Sequence, residues 1–111
     1  MADPNDIIKT CVTLRKVATN AGECNAFVTA VAAHYGLPLA GNADQIIGKI
    51  TKAPWTQHGK NGKEASAAAE TGALVIGGMT SRALGGAHGH VVVVVKGKLD
   101  GDKYPAAIGA V

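Results

Sequence analysis

Aromatic residues are scarce: one Trp, one Phe and two Tyr make up 4% of the 111 residues. The core cannot be built around rings, so Ala, Val, Ile and Leu must fill it, with helices packed closely on alanine. Two cysteines are too few for a disulfide framework. No apolar stretch is long enough to cross a membrane. The longest, Val91 to Val95, has the length of a strand, and membrane insertion is not expected. No apolar run follows a basic start, so no cleavable secretion signal is expected either. Such a protein is made in the cytoplasm and, if it works outside, leaves by a route that needs no cleavable signal.

What is present suits one folded domain over residues 1–111. Hydrophobic residues reach 47%, enough for a core and too many for a disordered chain. The 11 basic residues outnumber the 8 acidic ones, giving a net charge of +3 and a pI near 9.0. The basic residues are scattered from Lys9 to Lys103. A nucleic-acid binder would gather them into a patch with aromatics between, so no nucleic-acid partner is expected. A weak attraction to an anionic polymer such as a cell wall is compatible with this charge.

The first half reads as helices. Asp3 can cap, Pro4 suits the first helical position and Asp6 the positive end of the dipole. Ile7, Ile8, Cys11, Leu14 and Ala18 share one face at helical spacing, which makes Cys11 a core residue. Thr19 to Glu23 reads as a turn. A second helix is predicted from Cys24 to Tyr35, with Phe27, Val28, Val31 and Ala32 on its apolar face, Gly36 closing it and Pro38 barring continuation. Asn42 and Gln45 have capping-box spacing ahead of Ile46, Ile47 and Ile50. A loop from Lys52 to Gly62 carries Trp55, Gln57 and His58, and an alanine-rich helix runs from Lys63 to Glu70.

After Gly72 the period changes. Ala73 to Ile76 reads as a strand ending at Gly77-Gly78, and Ser81 to Gly89 as a loop. His90 to Lys96 is a strand too continuously apolar to be half exposed, hence central in its sheet. Gly97 to Asp102 is a turn and Tyr104 to Val111 a last strand. Helices first and strands after point to an α+β domain, N-terminal helices on a small antiparallel sheet. There is no internal repeat.

Two residues carry candidate chemistry. Cys24 opens the second helix. Free N–H groups and the partial positive charge of a helix start stabilise a thiolate and could hold an oxyanion. A cysteine there can equally be a small packed residue. His90 opens the valine strand behind G-G-A-H-G. Histidine is the side chain suited to proton transfer near neutrality, and a central strand is a rigid mount. Alone it would be a packing residue. A Cys at a helix start followed far along the chain by a His at a strand start is the arrangement of papain-like cysteine peptidases.

Other residues offer less. His88 and His90, two apart on an extended chain, could join Cys24 in a three-ligand zinc site with an open position. No fourth ligand and no H-E-x-x-H pattern support it, and neither metal nor cofactor is expected. His34 sits late in its helix, where the dipole suits it. His58 and Trp55 anchor a glycine-containing loop or line a cleft. Gly77-Gly78 and Gly85-Gly86 lack the Gly-Lys-Ser/Thr of a phosphate loop.

Four stretches together resemble a known family: C-N-A-F-V-T-A-V-A, G-L-P-L-A-G-N-A-D-Q-I, A-L-V-I-G-G-M and G-H-V-V-V-V-V, with a trailing K-Y-P. They cover most of residues 22–105. The first is similar to the helix start of NlpC-type peptidoglycan peptidases, and the set resembles the type VI secretion amidase effectors of the first family. The resemblance implies a papain-like endopeptidase that cuts peptidoglycan stem peptides between D-glutamate and meso-diaminopimelate. Such a protein is delivered by the type VI secretion apparatus into the periplasm of a rival Gram-negative cell and has a cognate immunity protein. Cys24 would be the nucleophile and His90 the base.

The sequence departs from that pattern at Glu23, where Asp or Asn is usual, and at Asn25 and Ala26, where Ser-Gly is usual. It also stops soon after K-Y-P, where relatives continue. A third group orienting His90 is expected on the following strand; Asp100, Asp102, Tyr104 or a backbone carbonyl are the choices, and none is singled out. The alternative function is a non-catalytic module that binds peptidoglycan or a protein in the same cleft.

Overall fold

The computed structural model describes residues 2–17, 23–52, 54–86, 88–101 and 103–110. The turn expected at Thr19 to Glu23 lies outside these except for Glu23, and Ala18 and Asp102 lie outside as well. Three helices lead. In α1 (Pro4–Arg15) the Asp3 carboxylate caps the start by accepting from the Asn5 N–H, and Pro4 takes the first position. Next comes α2 (Cys24–His34), with Tyr35 as its C-cap, one residue short of the expected end. In α3 (Ala43–Ile50) the capping box is complete, with Asn42 and Gln45 each bonding the other's backbone N–H. Asn61 caps α4 (Gly62–Glu70), which begins one residue before Lys63.

The strands follow as β1 (Val75–Met79), β2 (His90–Val94) and β3 (Ala107–Ile108). They form one antiparallel sheet in the order β1-β2-β3. The valine strand is therefore the central one, as its continuous apolar run requires. The domain is α+β, helices on a small three-stranded sheet.

Further boundaries differ from expectation, and β2 ends at Val94 rather than Lys96. β1 does not stop at Gly77-Gly78 but runs through both glycines to Met79. The reason is tertiary: a Cβ at Gly78 would lie 2.9 Å from Ile47 Cγ1, so glycine there lets α3 close onto the strand. The stretch expected as loop contains a single helical turn, α5 (Ser81–Leu84), capped by the Thr80 hydroxyl and ended by Gly85 at φ 70°. Such a turn is too short to show a period. β3 is only two residues long, although the Val95 N–H still donates to the Ala106 carbonyl at 2.9 Å beyond the end of β2.

The pleat of β2 divides the core. Val91, Val93 and Val95 join Ile7 and Cys11 of α1, Phe27, Val28 and Val31 of α2 and Ile46 of α3 in the main cluster. Val94, on the other face, packs with Val75 and with Ala69 of α4. Small alanines let α4 lie close, as the shortage of aromatics demands. Tyr35, one of the few rings, donates from its hydroxyl to Asp6 Oδ2 at 2.7 Å and lies 3.2 Å from Thr10 Oγ1, tying the end of α2 to α1. Among the described residues no helix is long and apolar enough to cross a membrane.

Cys11 is a core residue, with no exposed surface. Burial pushes its thiol up from 9.0 to about 11. The unfolded chain therefore gives up this proton first, so stability from the neutral thiol is complete below about pH 9 and is lost as pH rises towards 11. We expect denaturant unfolding of the wild type to weaken more steeply across that window than that of Cys11→Val. Parallel curves for the two proteins would contradict the burial of an ionisable thiol.

Candidate functional site

Cys24 is the first residue of α2 and His90 the first of β2, and α2 packs across β2. The start of α2 is unlike the other helix starts. Asp3, Asn42, Asn61 and Thr80 cap α1, α3, α4 and α5 with side-chain oxygens, whereas Glu23 makes no side-chain cap. The first backbone bond of α2 runs from the Phe27 N–H to the Glu23 carbonyl. The N–H groups of Cys24, Asn25 and Ala26 have no acceptor among the described residues. Cys24 is half-buried against the edge of the main core. The helix start thus offers, in one place, a thiol and several donors with no acceptor among the described residues.

His90 is exposed and makes no hydrogen bond to a described residue. Strand alternation places it on the face of Val92 and Val94, not that of Val91 and Val93, which meet α2. Its ring reaches towards β3: a Cβ built on Gly109 would be 3.6 Å from His90 Nε2 and 2.8 Å from Val92 Cγ1. No hydrogen bond joins Cys24 to His90. The structure packs the two elements together without a hydrogen bond between these two side chains.

Among the described residues no side chain of the following strand bonds the His90 ring. Just past β3, Gly109 lies beside that ring and has no side chain. Asp100 and Tyr104 bridge each other in the preceding turn, N–H to carbonyl in both directions at 2.8 and 3.0 Å, and neither bonds His90. Asp102 lies outside the described residues.

The remaining histidines have other settings. His34 ends α2 and stacks edge-on against Tyr35. His58 Nδ1 lies 2.8 Å from Glu64 Oε1, fastening its loop to α4. Trp55 and His58 line a cavity of about 1050 Å³ between α3, the loop after it, β1 and residues 103–105. Neither Cys24 nor His90 belongs to that cavity. Among the described residues no three His, Cys, Asp or Glu side chains are grouped to hold a metal, so Cys24, His88 and His90 form no such set. Both cysteines are free thiols.

Two contacts escaped sequence reasoning. Asn25 Nδ2 donates to the Gly41 carbonyl at 3.2 Å, tying the start of α2 to the turn before α3. Asp44, between the two residues of the capping box, accepts from the Ser81 N–H at 2.8 Å and the Ser81 hydroxyl at 2.5 Å. These bonds, foremost that of the hydroxyl, and the nearby His88 hold the Asp44 carboxyl below its usual range. The acidic residue in a helix's first turn was the only visible signal, and it pointed to the dipole, not to a partner 37 residues away.

These features define a class: a small α+β domain with a cysteine at a bare helix start, beside a central strand that opens on histidine. No protein-family model matches the chain. Over 87 residues, 78% of its length, the chain is 39% identical to the peptidoglycan amidase Tse1 of Pseudomonas aeruginosa. It spans 53% of that relative's length. The chain is a partial homologue of that amidase.

The two thiols differ in access. We expect iodoacetamide to label the native protein at Cys24 alone and to reach Cys11 only after unfolding. Peptide mass mapping checks this; rapid native labelling of Cys11 would contradict its burial.

Proposed function

We propose that residues 1–111 form a papain-like, NlpC-type cysteine amidase domain that hydrolyses peptidoglycan stem peptides. The observation that carries this reading is Cys24 at the one helix start that lacks a side-chain cap among the described residues. The 39% identity to a peptidoglycan amidase supports the substrate class. The net positive charge suits an anionic wall polymer.

In the proposed mechanism the Cys24 thiolate attacks the amide carbon, and the N–H groups at the start of α2 hold the oxyanion. His90 takes the thiol proton and passes one to the leaving amine. Water then attacks the acyl-enzyme thioester, releasing the acid and regenerating the thiol. The reaction requires the His90 ring to come within hydrogen-bond reach of Cys24 around the end of β2 rather than through the sheet; His90 is exposed and is the first residue of that strand. Catalytic hydrogen bonds that are open in the free enzyme commonly close with substrate bound.

The bond cut is proposed as D-glutamyl–meso-diaminopimelate, the setting as the periplasm of a Gram-negative target reached through the type VI secretion apparatus, and the protein partner as an immunity protein. These follow the family resemblance. The lack of a hydrogen bond between Cys24 and His90 favours a second reading, a module that binds peptidoglycan or a protein without cutting.

The test is digestion of Gram-negative peptidoglycan with the wild type, Cys24→Ala and His90→Ala, with fragments identified by mass spectrometry. New termini at D-glutamate from the wild type are expected, and a fall of about 10³-fold or more in either folded variant. Full activity in either variant would overturn its assigned role. Intact peptidoglycan with all three, and Cys24 alkylated no faster than a free thiol, would favour the binding module.

A further inference from the structure

The Cys24-bearing helix start and the His90-bearing segment are both tied to one short turn. On one side, the Asn25 amide donates to the Gly41 carbonyl at 3.2 Å. Asn42 follows and closes the capping box of α3. On the other side, Asp44 takes both the N–H and the hydroxyl of Ser81. Gly89, the residue before His90, is pressed onto this clamp. A Cβ there would meet Asp44 Oδ1 at 2.6 Å, the Met79 carbonyl at 2.9 Å and the Ser81 nitrogen at 3.2 Å. Met79 is itself the strand partner of His90. Position 89 therefore has no room for a side chain, and its backbone rests on the Asp44–Ser81 pair.

We infer that the Gly41–Asp44 turn is a bracket that fixes the start of α2 relative to the start of β2, with Asp44 a positioning residue for His90. Asp44 acts through Ser81 and Gly89 and touches neither thiol nor substrate. It sits on rigid ground, in the first turn of a helix with a reciprocal cap. The span it bridges is the one across which His90 must swing to serve Cys24. A loop free to drift by about 1 Å at such a place costs on the order of 10²-fold in rate. This inference rests on the proposed amidase reading for its consequence in catalysis, and on the geometry alone for its consequence in structure.

The test compares Asp44→Ala, Asp44→Asn and Ser81→Ala with the wild type by two readouts. The first is kcat and KM on a soluble stem-peptide substrate. Asp44→Ala is expected to lower kcat at least about tenfold with KM within about twofold, because the bracket acts on the reacting geometry. Ser81→Ala, which keeps the backbone bond, is expected to lose less. Asp44→Asn keeps an oxygen for the Ser81 N–H and an amide for its hydroxyl, so it is expected to retain most of the activity. The second readout is the NMR spectrum of the Gly89 amide and the His90 ring, with hydrogen exchange at Gly89. These are expected to shift and to exchange faster in Asp44→Ala but not in Asp44→Asn, whether or not the protein cuts peptidoglycan.

Unchanged Gly89 and His90 signals in folded Asp44→Ala would overturn the bracket. So would a kcat loss that only tracks the fraction unfolded. An inactive wild type whose Asp44→Ala signals still move would sink the amidase reading and leave the bracket standing.

Discussion

The packing of α2 across β2 is the contact on which the rest of the domain depends. Phe27, Val28, Val31, Val91 and Val93 have no exposed surface, and they are where the helix layer meets the sheet. Each such side chain contributes about 1.5–3 kcal/mol when fully buried. In a chain with four aromatic residues, these few apolar contacts hold the two layers in register. They also decide which ends of α2 and β2 lie together. Because α2 lies on β2, residue 24 and residue 90 begin neighbouring elements. The candidate site is thus a by-product of the core: its two elements are neighbours because the apolar stripe behind them fits.

What the residues announced in advance was local. The apolar period of α2, the Asn42–Gln45 box and the five valines each express their structure within a window of a few residues, and each is found. What stayed hidden is set by contacts distant in sequence. The continuation of β1 through Gly77-Gly78 depends on Ile47 pressing on Gly78. The clamp between Asp44 and Ser81 spans 37 positions and uses residue types that have ordinary local roles, an acid in a first turn and a serine opening a helix. The side to which His90 points follows from pleat parity, and a run of valines buried on both faces conceals parity. An alternating strand would have shown which face its histidine joins; a doubly buried strand does not.

The missing orienting group has a similar origin. Gly109 stands beside His90 and Val92 because β3 is short and passes tightly against β2; a side chain there would drive into Val92. The close approach that seals the sheet edge removes the place from which a carboxylate or amide could steer the imidazole. An acceptor from that strand would have to be a main-chain carbonyl. A carbonyl can orient a ring but, carrying no charge, does less than a carboxylate to stabilise an imidazolium.

The bare start of α2 carries a cost that the other helices avoid. A side-chain cap is worth about 1 kcal/mol, and four helices have one. Glu23 stands at the cap position of α2 and does not serve. The helix tolerates this because its stability comes from its buried face: Phe27, Val28, Val31 and Ala32 fix it in place whatever happens at residue 23. A cap would stabilise the domain and at the same time occupy the donors that a developing oxyanion needs. Departures from local optimum that the surrounding structure sustains are concentrated at working sites. That is the physical ground for proposing the chemistry at Cys24 rather than in the cavity around Trp55. The cavity is roomy, whereas the helix start combines a thiol with hydrogen-bond donors that have no acceptor among the described residues.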